Sequence, residues 1–192
     1  MSAAYCRAAP GHPVHGPYHD DDYGFPARDD RVLFERLVLE INQAGLSWLT
    51  ILMKRAAFNE AYAAFDIDAV AKFGAGNRRR LMSDARIIRN RLKIDAAIDN
   101  ARRLQAIRDS HGSFAVWLDA HHPRPKAQWV RLFKETFRFT GGEIVGEFLM
   151  SLGYLPGAHQ SWCPAYQKIV ALAPPWQLRA STTSRLPRAK DA

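Results

Sequence analysis

Two cysteines and two histidines near opposite ends of the chain carry the side chains of a metal site. His159 and Cys163 are separated by three residues, which places both on one side of a helical turn or tight loop. Cys6 and His19 can supply a second pair from the other end. Two thiolates and two imidazoles suit a closed tetrahedral Zn²⁺ site that keeps no position open for chemistry. Such an ion would fasten the first segment of the chain to the segment after the last apolar helix.

The spacing of these residues leaves a second interpretation open. Lone cysteines in a cytosolic chain are commonly inert buried thiols, since free cysteine behaves as a small hydrophobic residue. The first residues lack a charged start followed by an apolar stretch, so we expect no export signal and a cytoplasmic, reducing location. A disulfide between Cys6 and Cys163 is therefore not expected.

A carboxylate among aromatic residues forms the second candidate site. Glu40 ends an otherwise apolar helical face just before a turn that presents Trp48, and Tyr18 begins the segment YHDDDYGFP. Such a group suits a flat cationic base, because rings stack on its faces while the carboxylate favours its charge. The pattern also fits a partly exposed helix-end charge, or a carboxylate bonded to backbone amides, with Tyr18 and Trp48 as ordinary core aromatics.

The composition favours one compact unit with a polyanionic partner. The 192 residues are 47% hydrophobic, enough for one core, and the formal net charge is +8. Lys and Arg that neutralise phosphates release condensed counterions, so this charge favours nucleic acid, although basic charge also serves solubility alone. No apolar run approaches the ~20 residues needed to cross a bilayer, and we expect a soluble protein with no membrane partner.

Apolar residues at helical spacing predict helices for most of the chain. The predicted helices cover approximately residues 30–44, 48–65, 67–73, 81–85, 87–108, 117–118, 129–133 and 144–152. Asp29 or Asp30 is expected to cap the first of these helices and Gly45 to end it, and Ser47 is expected to cap the second. No window alternates polar and apolar residues for long enough to predict a sheet, so the predicted fold class is all-α. Residues 1–28, interrupted by four prolines, are predicted to be irregular. The expected organisation is a single helical unit over residues 1–173 and a basic flexible tail over residues 174–192.

Several motifs together resemble the bacterial DNA-3-methyladenine glycosylase I family, within the helix-hairpin-helix superfamily. The similarity runs from Tyr18 to about Cys163. It consists of YHDDDYG, FERLVLEINQAGLSWLTIL, SDARIIRNRLKIDAAIDNA, FRFTGG and the late His and Cys, in the family's order. Long motifs in one order are far more specific than a single spacing. The resemblance implies an all-α helix-hairpin-helix glycosylase fold with a zinc site that joins the N- and C-terminal segments.

The resemblance also implies roles for individual residues. It implies that a structural Zn²⁺ is held by Cys6, His19, His159 and Cys163. It implies a base pocket lined by Tyr18, Trp48 and Glu40, with Glu40 as the catalytic residue. The stretch from Ser83 to Lys93 would correspond to the helix-hairpin-helix, which grips phosphates without reading sequence. The candidates for these phosphate contacts are Arg86, Arg89, Arg91 and Lys93.

The implied reaction is hydrolysis of the N-glycosidic bond that joins 3-methyladenine to deoxyribose in alkylated double-stranded DNA, with free 3-methyladenine as product. The expected enzyme is a monomer and monofunctional, since no lysine stands out as a Schiff-base nucleophile. Arg7 and Ala8 follow Cys6 where family members often have Gly and Trp, which leaves a shifted preference, toward 3-methylguanine, open. The sequence leaves two other classes of protein open. One is a non-catalytic zinc-stapled DNA-binding module, and the other is a zinc-stapled regulator that binds an acidic protein.

Overall fold

The computed structural model describes residues 3–178, and every regular element in this range is helical. The α-helices of this range are α1 (Ala3–Ala8), α2 (His15–Asp21), α3 (Asp30–Gln43), α4 (Trp48–Met53), α5 (Arg55–Ala61), α6 (Ile67–Ala71), α7 (Ala75–Ser83), α8 (Arg91–His111), α9 (Phe114–His121), α10 (Lys126–Thr136), α11 (Gly142–Ser151) and α12 (Pro164–Ala171). Short 3₁₀ turns occupy Ala63–Phe65 and Pro175–Gln177. The predicted all-α class is confirmed.

Helix α3 lies at the centre of the core. Asp29 caps it, because its carboxylate accepts a hydrogen bond from the Arg31 amide at 2.7 Å. All side chains from Leu33 to Asn42 are buried, since α4, α8, α9 and α11 pack around this helix. A helix enclosed in this way also buries the charged residues that its sequence carries.

The turn after α3 sets the position of α4. Gly45 adopts a φ of +81°, a left-handed conformation that favours glycine, and it ends α3 as predicted. Ser47 then caps α4 as predicted, because its hydroxyl accepts a hydrogen bond from the Thr50 amide at 3.2 Å. Trp48 is therefore the first residue of α4, one tight turn beyond the end of α3.

The continuous helix predicted from residue 48 to residue 65 is wrong, because the chain divides there into α4, α5 and a 3₁₀ turn. The break lies at Lys54, whose ammonium donates to the carbonyls of Ala85 at 3.1 Å and Arg86 at 2.9 Å. The next residue, Arg55, turns towards Glu35, and two of its nitrogens lie 2.9 Å from the carboxylate oxygens. Contacts with distant segments thus override the local helical pattern.

Further boundaries differ from the sequence prediction; the helix predicted over residues 81–85 is α7, which spans Ala75–Ser83. Residues 1–28 were expected to be irregular, but they contain α1 and α2, and Pro17 stands in the first turn of α2, where its missing N–H costs little. Helix α8 begins at Arg91 and not near residue 87, because the Asn90 side chain accepts a hydrogen bond from the Lys93 amide at 3.2 Å. Residues 84–90 instead connect α7 with α8.

The chain stays packed beyond the expected start of its tail. Pro174 is buried, and the Trp176 amide donates to the Gly153 carbonyl at 3.0 Å. The Trp176 ring stacks on Tyr166 with 6.2 Å between centroids. Residues 174–178 therefore belong to the folded unit, whereas residues 179–192 lie outside the described part of the chain. Within residues 3–178, none of the helices is both long and apolar enough to span a membrane.

Candidate active site and metal centre

Glu40 lies in the last turn of α3 and is only 3% exposed. No hydrogen-bond donor within residues 3–178 reaches its carboxylate. Burial raises the pKa of the Glu40 carboxyl well above its ordinary value, and the nearby Glu147 charge raises it further while Arg36 opposes the shift. Burying a carboxylate costs free energy unless it is paired, so this group is a candidate ligand for an external cation or donor.

Tyr18 and Trp48 meet beside Glu40. Their ring centroids lie 5.0 Å apart with the planes inclined at 59°. Burial, and next the Glu40 carboxylate, raises the pKa of the Tyr18 phenol, which therefore remains a neutral hydrogen-bond donor. The Nε1 atom of Trp48 is buried without a hydrogen-bond partner in the described residues. Helices α2, α3 and α4 thus bring together the three residues that the sequence singled out.

Sequence analysis missed two residues of this site, Tyr23 and Glu147. The Tyr23 hydroxyl donates to Glu147 Oε2 at 2.9 Å, and the Tyr23 ring centroid lies 5.7 Å from that of Tyr18. Tyr23 is fully buried; burial and then the Glu147 charge raise the pKa of its phenol. Glu147 interrupts the apolar run of α11, and an acidic residue on an apolar helix face is the signal that identified Glu40.

Two arginines, of which Arg36 is buried and Arg55 is partly exposed, hold α3 against the segment that carries Tyr18. Arg36 is 5% exposed, and its Nη1 donates to the Ser151 carbonyl at 2.5 Å. Its Nη2 lies 3.4 Å from Asp22 Oδ1. Arg55 donates to the second oxygen of Asp22 at 2.5 Å while it pairs with Glu35. These bonds to one carboxylate from two arginines restrict the junction between α2 and α3.

The four predicted metal ligands form one buried cluster, with ligand atoms within 4.8 Å of one another. The Sγ atom of Cys163 lies 3.6 Å from both His19 Nε2 and His159 Nδ1, and Cys6 Sγ lies 3.8 Å from His159 Nδ1. Tetrahedral bonds of about 2.3 Å to sulfur and about 2.05 Å to nitrogen separate these atoms by about 3.6 Å. The cluster therefore has the residue types and the dimensions to bind a metal ion.

The second nitrogen of each histidine also has a partner. His19 Nδ1 lies 2.7 Å from Asp20 Oδ1, and His159 Nε2 donates to the Tyr23 carbonyl at 2.7 Å. Such bonds select the tautomer that turns the other ring nitrogen to a metal. Burial lowers the pKa of the His159 imidazole, which favours the neutral form that binds metals.

The two ends of the chain approach each other closely at Gly24. Its φ is +86°, and a side chain there would place Cβ 2.8 Å from Ala158 Cβ and 2.9 Å from Ile169 Cδ1. Its amide donates to the Ser151 carbonyl at 2.8 Å. Because residue 24 is glycine, the carbonyl of the preceding residue can reach His159. This bond connects the Cys/His cluster to the bottom of the candidate active site.

Three of the four predicted phosphate contacts are exposed around the connection between α7 and α8. Arg89 is exposed, and the Arg91 side chain is 82% exposed with a 3.8 Å contact to Asp95. Arg86 is 61% exposed but already pairs with Asp84 at 3.0 Å and with Glu60 at 2.7 Å. Arg89 and Arg91 are therefore more available to an anionic partner than Arg86.

Lys93, the fourth predicted phosphate contact, has a different position from that expected. It is 5% exposed, and its ammonium donates to the carbonyls of Asn42 at 2.8 Å and Ala44 at 2.7 Å. The last carbonyls of a helix lack partners within it, and they favour a cation. Lys93 thus satisfies the end of α3 one turn beyond Glu40, and it is not free to contact a phosphate.

Comparison with known sequences connects this arrangement to one family. Residues 8–136 match a protein-family model described as methyladenine glycosylase. DNA-3-methyladenine glycosylase 1 of Escherichia coli (strain K12) is 34% identical over 173 residues, which cover 80% of this chain and 92% of that protein. DNA-3-methyladenine glycosylase of Haemophilus influenzae is 33% identical over 167 residues, with 77% and 89% covered.

Comparison with solved structures points to the same family as the sequence comparison. The Staphylococcus aureus 3-methyladenine DNA glycosylase I, studied for its recognition of 3-methyladenine, superposes with a TM-score of 0.77 and 31% identity over 86% of this chain and 98% of that one. A variant of a 3-methyladenine DNA glycosylase I in complex with 3-methyladenine superposes with a TM-score of 0.76 and 31% identity, covering 84% and 97%. The extent of both matches is the basis for the assignment: this chain belongs to the methyladenine glycosylase family.

Proposed function

We propose that this chain is a base-excision repair glycosylase that hydrolyses the N-glycosidic bond of 3-methyladenine in alkylated DNA. The observation that carries the proposal is the buried Glu40 carboxylate beside Tyr18 and Trp48 in a member of the methyladenine glycosylase family. The solved relative that binds 3-methyladenine supports the choice of base.

The site selects the damaged base mainly by binding it. Methylation at N3 gives the base a positive charge and makes it a good leaving group. A damaged base leaves the DNA stack at a cost of a few kcal/mol, less than an intact one. Glu40 then accepts a hydrogen bond from the exocyclic amine and favours the charge, while Tyr18 donates a hydrogen bond and Trp48 offers a flat apolar face.

The reaction is a hydrolysis that leaves an abasic site. When the bond between C1′ and the base nitrogen breaks, its electron pair passes to the base, which departs neutral while positive charge develops on the sugar. The oxygen of water then bonds to C1′, and a water proton is lost to solvent. Lys93, which lies behind α3, donates to two backbone carbonyls and is not placed as a nucleophile, so the proposed enzyme is monofunctional and leaves the strand uncut.

The Cys/His cluster holds a structural Zn²⁺ in this proposal. Support comes from the burial of Cys6, His19, His159 and Cys163, from their sulfur–nitrogen distances and from the oxygen partners of both histidines. When bound, the ion supplies a cross-link between the two chain ends and no chemistry on the substrate. The cross-link keeps Tyr18, directly before His19, in register with α3.

Arg89, Arg91 and Arg86, around the connection of α7 with α8, contact the DNA backbone in this proposal. This stretch corresponds to the helix-hairpin-helix that the resemblance implies. The support is their exposure and the net charge of +8, which favours double-stranded DNA without reading its sequence. Lys93 has no part in this surface, because its ammonium is buried against α3.

Release of free bases from methylated duplex DNA, identified by mass, tests the proposal. We expect free 3-methyladenine and abasic sites without strand breaks from the native protein, and almost none from Glu40→Gln. Release of 3-methylguanine in preference to 3-methyladenine would change the assigned substrate. Binding to DNA without any base release would overturn the activity and favour a non-catalytic DNA-binding module. Absence of salt-dependent DNA affinity would favour a regulator that binds an acidic protein.

A further inference from the structure

Lys54 joins the helix that carries Trp48 to the connection between α7 and α8. It follows Met53 as the C-terminal cap of α4, and its carbonyl accepts the first hydrogen bond of α5, from the Phe58 amide at 2.9 Å. Its side chain leaves this corner and reaches the connection, residues 84–90. Lys54 therefore links two parts of the chain that lie about thirty residues apart in sequence.

The ammonium of Lys54 satisfies two neighbouring carbonyls of that connection. It donates to the Ala85 carbonyl at 3.1 Å and to the Arg86 carbonyl at 2.9 Å. Within residues 3–178, no other hydrogen bond reaches these two oxygens. Hydrogen bonds from a charged donor are stronger than those between neutral groups. One side chain thus fixes two successive peptide groups relative to α4.

The rest of the connection is packed on one side and open to solvent on the other. Ile87 is 3% exposed and belongs to the core, whereas Arg86 and Arg89 are exposed. Arg86 also pairs with Glu60 of α5 at 2.7 Å, but the two side chains are 61% and 65% exposed, and solvent screens such a pair. Lys54 is partly buried and makes two bonds, so it is the stronger polar link between the connection and α4.

One short helix separates this connection from the candidate base-binding site. Helix α4 has Trp48 as its first residue and six residues in all, so about 9 Å of helix lies between Trp48 and Lys54. The connection also offers donors that suit a phosphate, because the amides of Ile88 and Arg89 donate no hydrogen bond within residues 3–178. The length of α4 and the bonds of Lys54 together set the distance from these donors to the site around Glu40.

We propose that Lys54 is a positioning residue for base excision, which fixes the connection between α7 and α8 to the end of α4. A nucleotide that leaves the DNA stack stays covalently attached to its phosphates. Its base therefore reaches Glu40 only when the backbone is held at the right distance from the pocket, and a displacement of about 1 Å can slow a reaction about 10²-fold. The inference rests on the proposed function and deepens it. It concerns the DNA substrate alone, because a free base needs no phosphate contact.

Three measurements on Lys54→Met, which removes the ammonium, test this role. Single-turnover release of 3-methyladenine from methylated duplex DNA at saturating enzyme gives the rate of excision without the contribution of DNA affinity. Isothermal titration calorimetry gives the Kd of free 3-methyladenine, and the salt dependence of duplex binding gives the number of phosphate contacts. Lys54→Arg keeps the charge and the donors. Lys134→Met is the matched control, because it is the same substitution at an exposed lysine of α10.

We expect Lys54→Met to release the base about tenfold more slowly than the native protein, because the connection loses its charged donor and shifts relative to α4. The Kd of free 3-methyladenine should stay native, which separates a positioning role from general damage to the pocket. The salt slope of DNA binding should also stay native, which separates it from a direct phosphate contact. Lys54→Arg should recover most of the release rate, and Lys134→Met should retain all of it.

A native release rate in Lys54→Met would overturn the inference and leave the proposed function intact. A salt slope smaller by about 1 with a native release rate would make Lys54 a phosphate contact instead. A Kd of the free base that weakens as much as the release rate falls would make its role merely structural. Should Lys54→Met not fold, Lys54→Gln, with a shorter and neutral donor, replaces it under the same criteria. If the native protein releases no alkylated base, the proposed function fails and the inference fails with it.

Discussion

The Cys/His cluster and the candidate base-binding site around Glu40 differ in how their polar atoms are satisfied. In the cluster, each histidine turns one nitrogen towards the sulfur atoms and the other towards an oxygen. In the base-binding site, neither Glu40 nor Trp48 Nε1 has a hydrogen-bond partner within residues 3–178. Buried polar groups without partners lower stability. The difference suits the two roles that we propose, a structural metal site for the cluster and a base-binding site around Glu40.

Each site suits a cation, but of a different kind. In the proposed function, the cluster holds a small ion that fastens the chain ends together, and the site around Glu40 binds a large flat cation that leaves as a neutral base. Changes in the first site should act on stability, and changes in the second on binding and turnover.

The largest effect is expected from Glu40→Gln. Loss of the carboxylate removes the charge that favours the cationic base and the developing sugar cation, so base release should fall by about 10²-fold or more. Single-turnover release of 3-methyladenine from methylated DNA measures this loss. Circular dichroism and DNA affinity should remain native. If this variant released the base at the native rate, Glu40 would not be a base-binding residue.

Cys163→Ser should act on stability. The variant loses one of four ligands, and a bound metal contributes about 4 kcal/mol to folding when the free metal is a thousandfold above its Kd. Thermal unfolding with and without a chelator measures the effect: the chelator should lower the Tm of the native protein and leave that of Cys163→Ser unchanged. Ser161→Ala, a substitution at an exposed neighbour, is the control. Native protein that contains no metal by elemental analysis contradicts the prediction.

Lys93→Met should lower the free energy of unfolding by about 1–3 kcal/mol, because it leaves the carbonyls of Asn42 and Ala44 without their charged donor. Urea denaturation measures the change. Arg91→Met is the matched control on the same helix. Its stability should change by less than about 0.5 kcal/mol, while its DNA affinity should fall with a salt slope smaller by about 1. If Lys93→Met instead weakened DNA binding and Arg91→Met lowered stability, Lys93 and not Arg91 would be the residue that contacts DNA.

The smallest effect concerns the pH dependence of stability. The pKa of native Glu40 is raised by burial, then by Glu147 on α11, against the opposing charge of Arg36, whereas in the unfolded chain it is near 4.5. Between these two values the native state holds a proton that the unfolded state has lost, so stability falls as pH rises through this window. Glu40→Gln removes the penalty. Its advantage in unfolding free energy should therefore be absent below about pH 4.5 and grow towards neutral pH.

Local signals in the sequence identified most helices and their caps. Ser47 caps α4 as expected, Asp29, one of two candidates, caps α3, and Gly45 ends α3, because these effects involve only neighbouring residues. The break at Lys54 was not predictable, since it depends on carbonyls about thirty residues away in the chain. The same limitation applies to α1 and α2, which form within a segment rich in proline and glycine.

What the sequence by itself determined is the set of chemical groups: two thiols, two imidazoles, a carboxylate at the end of an apolar helix face and the rings that flank it. Only the tertiary structure decided how each group is used. It enclosed Glu40, turned the ammonium of Lys93 inward to the end of α3 and brought Glu147 from a distant helix towards the same site. The physical reason is that the burial and pairing of a charge depend on the elements packed around it, and those elements come from distant parts of the chain.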